Sequence, residues 1–367
     1  MTKLVEATLP LCAACGMSEA TFDVDLLVQA TAAVFVGAGL NRKPAETVAR
    51  ALVDADMRGI PSHGLMLIPM YVDRLRAGSV TTAELADVVL DIGPIAVLDA
   101  RHALGLLTSD QAMGIAVDKA KLHGVGVVSV RHAFHFGGAY RYVQQAAAAG
   151  CLGIAASNTR PLMPPTGGGE RVVGNNPIAI GVPRSAGPPI VLDMALSEAA
   201  LGKIRLAKAE GREIPLNWAT DEQGSPTSDP NAALAGMLLP VGGPKGYGLA
   251  FMVDVLTGVL SGGAFGDLVQ GMYADVAMPN DCAHFFLALS IGAFSSDSEF
   301  DVALESLAAQ VTSAKLAPGS TRLLLPGQRE AEKAAAALEH GVEVDASVLD
   351  GLRRTAAQVG VKLPKGL

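Results

Sequence analysis

The chain has 367 residues, a formal net charge of −8 and a hydrophobic fraction of 50%. The charge argues against a nucleic-acid or anionic-membrane partner, and the apolar fraction against a disordered chain. The length suits two to three domains, or one large domain with a satellite.

Four cysteines are present, and Cys12 and Cys15 form a CxxC near the start. A redox or zinc role would need a second pair or nearby histidines, and neither is close. Sparse cysteine suits a reducing compartment. The best candidate for a membrane span, residues 249–260, is short and carries Asp254. At the start, Glu6 falls ahead of the weak apolar patch, a poor fit to a signal peptide. A cytoplasmic protein is the expectation.

In chain order, residues 1–22 read as an N-terminal extension. Asp23 or Asp25 can cap a helix through LLVQATAAVFVGAG, ended by Gly37 and Gly39. A second helix spans KPAETVARALVDADMRG, with Pro44 in its first turn. The stretch PSHG lies on its exit, and IPMYVDRLRAGSV resumes a helical period. Strands follow at ADVVLDIG and IAVLDA, then a helix through SDQAMGIAVDKAKLHG. GVGVVSV and CLGIAASN are short apolar runs of buried-strand type, separated by a loop that becomes a helix. PIAIGVPR and PPIVLDMA add two strands, and HFFLALSIGAF a late one. Between them a Gly/Pro-rich loop leads into a long apolar helix through residue 263, and the tail after residue 330 is helical. Alternating strands and helices make the class α/β.

VFVGAGLNR imitates the start of a dinucleotide fingerprint, but Arg42 replaces its third glycine. It reads better as a helix C-terminus. In GGPKGYG, Lys245 precedes a long helix, where a cation opposes the dipole unless an anion is bound. His63 sits between Ser62 and Gly64, while His132 and His135 follow a buried strand, a common place for chemistry in such proteins. Of these two, the following glycines favour His135. Asp193 ends an apolar strand, either as a partner for a histidine or as the cap of a helix starting near Ser197. Histidine spacing gives no metal motif. Ser62, His63 and Asp193 contain the elements of a hydrolase triad, but no GxSxG elbow is present and adjacent side chains face each other poorly.

The pieces DADMRGIPSHG, GVGVVSVRHAFHFGGAYRYVQQAAAAG, GIAASNTRPLMPPTGGGERVVGNNPIAIGVPR, VLDMALSEAALGKI, DEQGSPTSDP, GGPKGYGLAFMVDVLTGVLSGG and LLLPGQRE occur in one order from about residue 23 to the end. Together they resemble the non-Rossmann malate/L-lactate dehydrogenase family, with its ureidoglycolate, sulfolactate and hydroxycarboxylate dehydrogenases and cyclic-imine reductases. The resemblance implies an NAD- or NADP-dependent oxidoreductase, a mixed-sheet cofactor domain with helices on both faces, and a helical domain built from both chain ends. It places the helical part at residues 23–80 and 300–367 and the cofactor part at 81–299. It also implies a homodimer.

By the same resemblance, His63 or His135 moves the proton, and Ser62 and Asp193 match a relay. Cofactor contacts fall on Thr159, Asp193, Met194, Ala195, Lys245, Gly327 and Gln328, and Asn176 lies in the substrate motif GNNP. Many members carry arginine where this chain has Leu67, so Arg58, Arg141 or Arg160 would have to grip a substrate carboxylate. Arg160 beside a 2′-phosphate would favour NADPH. The implied reaction moves hydride between nicotinamide and a 2-hydroxy or 2-oxo acid. The alternatives are a cyclic-imine reductase and a catalytically silent nucleotide-binding relative.

Overall fold

The computed structural model describes residues 20–367, so Cys12 and Cys15 lie outside the described residues. Strand β1 (Ala20–Phe22) is followed by α1 (Val24–Gly37). The Asp23 side chain accepts from the Leu26 N–H at 2.9 Å, satisfying one free donor of the first turn. The glycines of VFVGAG end this helix, as its apolar period indicates. Next come α2 (Arg42–Met57), two short 3-10 turns at Pro61–His63 and Leu65–Leu67, and α3 (Ile68–Ala77).

Strands β2 (Asp87–Ile92) and β3 (Ile95–Asp99) form a hairpin. Then follow α4 (Gly105–His123), β4 (Val125–Ala133), α5 (Tyr140–Ala148) and β5 (Cys151–Ser157). After β6 (Ile178–Val182) and β7 (Ile190–Met194) come α6 (Leu201–Ala209), α7 (Pro230–Ala235) and α8 (Pro244–Asp254). A π turn at Val255–Val259 interrupts the long apolar helix expected there. Strand β8 (Cys282–Ser290), α9 (Asp297–Thr312), α10 (Gln328–His340), β9 (Val342–Val344) and α11 (Ala346–Gln358) complete the chain.

The main sheet has seven strands in the order β2-β3-β4-β8-β5-β6-β7. Only β3 and β4 run parallel; every other neighbouring pair is antiparallel. Side chains alternate between the faces. Val128, Val130 and Phe286 pack with α4 and α5, whereas Phe285 packs with Ala250 and Val253 of α8 and Ile204 of α6. Helices therefore cover both faces of a mixed sheet.

A separate core joins the two chain ends. Leu27, Phe35, Leu52, Leu67 and Tyr71 are fully buried there and meet Leu349 and Leu352 of α11. Each such side chain contributes about 2 kcal/mol on burial. Two boundaries depart from the sequence reading. Residues 20–22, read as part of the extension, pair with β9. The helix α9, read as part of the helical unit, lies outside that core and ties to the end of β6 through Arg184 and Glu305.

Candidate active site

The turn holding His63 is built by its own neighbours. Asp56, in the last turn of α2, accepts the Leu65 N–H at 2.7 Å. Its carboxylate occupies the space that a Cβ at position 64 would need, at 2.3 Å, so only glycine fits between Ser62–His63 and Leu65. Burial pushes the Asp56 carboxyl up from 3.8 to about 7, and the Leu65 N–H pulls the other way. Ser62 Oγ lies 2.9 Å from Nδ1 of His63 and fixes one side of the ring.

His135 is held by distant parts of the chain. The β4–β8 ladder slips between Val130 and Ala133, and His132 in that bulge has φ 50°. Such bulges re-aim the chain at the rim of a sheet. His132 turns to Asp99, with Nδ1 2.9 Å from Oδ2, and leaves the following loop to present His135. The first residue of α4, Gly105, presses on that loop: a Cβ there would stand 1.9 Å from the Phe134 carbonyl. The Tyr71 hydroxyl of α3 lies 2.7 Å from Nδ1 of His135. Beneath the loop, fully buried His284 stacks on Phe136 at 4.7 Å, with Nε2 3.3 Å from the Phe134 carbonyl.

The two candidate proton carriers therefore meet. The His63 and His135 rings are 5.5 Å apart, centroid to centroid. Both are surrounded by protein yet keep partial solvent access, as groups lining a cleft do. Burial holds the His63 imidazole below its usual 6.5. Burial, then the neighbouring His63 and His284, brings His135 to about 3. Both rings are neutral at pH 7, so the pair can accept a proton. Tyr71 keeps its hydroxyl hydrogen, since burial and then nearby Tyr273 push its phenol upward.

Asp193 sits at the end of β7, where Oδ2 accepts the Tyr140 N–H at 2.8 Å. Burial raises its carboxyl to about 6, against the Tyr140 and Ala139 N–H groups. It does not cap α6, which starts only at Leu201 with Ala200 before it; its carboxylate instead satisfies the first N–H groups of α5. Among the described residues, no hydrogen bond joins Asp193 to Ser62 or His63. Met194 and Ala195 continue from the same strand end. The Gly327–Gln328 turn abuts β7, with the Val191 N–H donating to the neighbouring Pro326 carbonyl at 3.1 Å.

Each side-chain amide atom of Asn176 is engaged. Oδ1 accepts the Thr159 N–H, and Nδ2 donates to Asp254 and the Ala250 carbonyl. Fully buried, Asn176 braces the Thr159 segment against α8. Arg58 is committed to Asp54 at 2.8 Å and lies over the Tyr140 ring at 4.9 Å. Arg141 grips Asp110 with two bonds of 2.9 and 2.6 Å. Leu67 is fully buried in the helical core.

The donor set suits a nicotinamide dinucleotide. Gly242 and Gly243 have φ 60° and 62°, and a Cβ at either would meet nothing within 4 Å. They open a path to the first turn of α8, where Lys245 is exposed and backbone N–H groups are free for a phosphate. The Gly242 N–H itself is taken by Glu198 at 3.3 Å. Of the other expected cofactor residues, Thr159 directs its hydroxyl to Asn175 Oδ1 at 3.0 Å and Asp193 carries its carboxylate at the end of β7. Among the described residues, no three His, Cys, Asp or Glu side chains gather as a metal site.

Sequence reasoning missed Tyr71, Asp56 and His284. Asp56 stands inside the quoted DADMRGIPSHG, and only its partner nine residues on reveals its use. Tyr71 reads as one more apolar position of a helix.

Comparison with known proteins gives the family. The malate/L-lactate dehydrogenase family pattern matches residues 22–353. A malate dehydrogenase from Pyrococcus abyssi is 36% identical over 332 residues, covering 88% of this chain and 91% of the relative. An NAD(+)-dependent ureidoglycolate dehydrogenase from Escherichia coli O157:H7 is 38% identical over 308 residues, covering 84% and 87%. The crystal structure of malate dehydrogenase from Entamoeba histolytica superposes with a TM-score of 0.89 at 26% identity, over 95% of this chain and 100% of that one. With this family pattern and these relatives, the chain belongs to the malate/L-lactate dehydrogenase family and is an NAD(P)-dependent oxidoreductase.

Proposed function

We propose that the protein interconverts a 2-hydroxy acid and its 2-oxo acid, with His63 and His135 moving the proton. The observation that carries this reading is the meeting of the two imidazoles, one from a helix exit and one from a strand end, 5.5 Å apart. When bound, the nicotinamide supplies the acceptor or donor of the hydride. As the hydride leaves C2 of the hydroxy acid, the hydroxyl proton must go to a base. A neutral imidazole is such a base.

The Tyr71 hydroxyl orients His135 in either tautomer. If Nδ1–H donates to the phenol oxygen, Nε2 is the free base. If the phenol donates to Nδ1, Nε2–H donates to the substrate oxygen. In the reducing direction an arriving carboxylate raises the imidazole pKa by its charge, which favours proton uptake. Apolar Met66 and Leu65 beside the turn limit water access.

Lys245, Thr159, Asp193, Met194, Ala195 and the Gly327–Gln328 turn would hold the cofactor, either NAD or NADP. Arg58 and Arg141 reach a substrate only by sharing it with Asp54 and Asp110, so we assign them to organising the cleft, together with Asn176. Exposed Phe251, Met252, Val259 and Leu260 on and after α8 form an apolar face suited to a second copy, supporting a homodimer. Buried free Cys151 and Cys282 suit a reducing cytoplasm. No described helix is long and apolar enough to cross a membrane.

The test is to follow reduced nicotinamide absorbance with NAD(H) and NADP(H) against a panel of 2-hydroxy and 2-oxo acids. Turnover of several 2-oxo acids is expected. Reduction of a cyclic imine without turnover of any oxo acid would move the electrophile from C=O to C=N and overturn the reading. Cofactor binding without turnover of any panel member would also overturn it.

A further inference from the structure

Three arginines converge on one cavity that the reaction described above does not use. Arg160 follows Thr159 at the end of β5, Arg171 lies in the glycine-rich loop before β6, and Arg205 is on α6. They line a cavity of about 270 Å³, closed behind by Leu162, Leu201 and Leu238. Among the described residues, no carboxylate lies within salt-bridge distance of any of the three. Arg58, Arg141, Arg184 and Arg322, by contrast, each hold a carboxylate within 3.0 Å. In a protein of net charge −8, what sets these three apart is that they line a single cavity together.

The cluster is also built. Arg171 is anchored on the carbonyls at the end of α7, with Nε donating to Gly236 at 3.0 Å and Nη2 to Ala235 at 2.8 Å. Those two nitrogens are occupied by backbone, and Nη1 remains. The Arg160 side chain lies along Gly271, where a Cβ would meet its Cδ at 2.9 Å. Burial, then the charges of Arg171 and Arg205, lowers the Arg160 guanidinium. Like charges held together without a counter-ion repel unless an anion joins them.

One loop links the cavity to the histidine pair. Arg74, fully buried, donates to the carbonyls of Gly271, Met272 and Met278 and fastens that loop to α3, which carries Tyr71. Tyr273 in the same loop lies between them. Its phenol is raised by burial and drawn down by Arg205, and it in turn acts on Tyr71.

We propose that Arg160, Arg171 and Arg205 form a binding site for a compact oxyanion group: a phosphate, sulfonate or second carboxylate remote from the reacting carbon. The planar guanidiniums of Arg160 and Arg205 suit such groups because each can offer two parallel N–H bonds, and Arg171 adds Nη1. The group can be the distal acid of the substrate, a phosphate of the cofactor, or free phosphate. The first two sources rest on the oxidoreductase reading; the site itself does not.

The experiment therefore begins with binding. Full-length wild type, Arg205→Gln and Arg160→Gln are melted in increasing sulfate at constant ionic strength, with chloride as the balancing salt. Both positions are exposed, so the variants should fold. A saturable upward shift in wild type, lost in both variants, is expected. Equal sulfate shifts in all three proteins, or none in wild type, overturn the proposal even if the enzyme turns over oxo acids.

Kinetics then identify the source. For a substrate-borne group, the ratio of KM for oxaloacetate or sulfopyruvate to KM for pyruvate rises roughly tenfold in the variants, the cost of about one charged hydrogen bond. For a cofactor phosphate, the ratio of KM for NADPH to KM for NADH rises instead. If sulfate binding is lost and neither ratio moves, the site takes free phosphate. Absence of turnover with every oxo acid sinks the reaction assigned above and leaves the sulfate result to decide the site.

Discussion

The two histidines of the cleft are held in opposite ways. The His63 turn is fixed by what lies within nine residues of it: Ser62 beside the ring, Asp56 on the Leu65 N–H, and Gly64 making room for Asp56. His135 is fixed by residues far off in the chain: Tyr71 on its ring, Gly105 against its backbone and His284 under its loop. A local turn forms with its helix and owes little to the sheet. A loop wedged between a strand end and a helix start exists only once the sheet, α3 and α4 have packed. Damage far from the cleft should therefore reach His135 more readily than His63.

Direct removal gives the largest effect and sets the scale. His63→Ala and His135→Ala are each expected to lower kcat by about 10²–10⁴, the usual worth of a placed acid or base. The comparison of the two names the proton carrier. If both variants retain near-normal kcat, neither histidine moves the proton and the proposed chemistry fails.

Gly105→Ala probes the long-range support. A methyl 1.9 Å from the Phe134 carbonyl cannot be absorbed by a side-chain rotation, so backbone must shift. We expect a stability loss on the order of 3 kcal/mol in denaturant unfolding, as for overpacked cores. We also expect a fall in kcat in whatever protein remains folded. Unchanged stability would mean that α4 does not press on the loop as described.

Tyr71→Phe isolates one bond. The ring keeps its packing against Phe134, centred 5.5 Å away, while His135 loses its partner. A net hydrogen bond of about 1 kcal/mol predicts a five- to tenfold drop in kcat/KM. A thermal midpoint close to wild type would separate orientation of the imidazole from loss of fold. A variant with normal kcat/KM would show that the phenol does not orient His135.

The same contrast explains what could be read from the letters. Helix α1, the buried strands and the SHG turn follow from apolar period, caps and glycines, all local signals. The VFVGAG stretch was recognisable as a helix end because its third glycine is missing. Strand ends and glycines singled out His135 and Asp193, and motif order gave them roles through resemblance. No local signal distinguished Tyr71 from the other buried positions of α3, because its hydroxyl partner is 64 residues away. Arg58 and Arg141 looked free in sequence because their carboxylates, one four residues back and one on α4, become partners only after folding. The strand order was equally hidden. β8 inserts between β4 and β5, a pairing that no hydrophobic period specifies.

The local side is tested by pH. Asp56 binds its proton more tightly when folded, up to about 7 against 3.8 unfolded, chiefly through burial. Between those values the folded state holds more protons than the unfolded one, so this residue's contribution falls as pH rises and is gone above about 7. Asn at this position does not titrate, and its amide oxygen can still accept the Leu65 N–H. Asp56→Asn should melt near wild type at pH 4 and pull ahead as pH rises, by about 5 °C at pH 8. Asp193, raised in the same direction, and His284, lowered to about 4 by burial, are present in both proteins and cancel in the difference. A difference that is flat with pH would show that Asp56 is charged at little cost. A variant less stable than wild type at every pH would show that the carboxylate, and not merely an acceptor, holds the turn that presents His63.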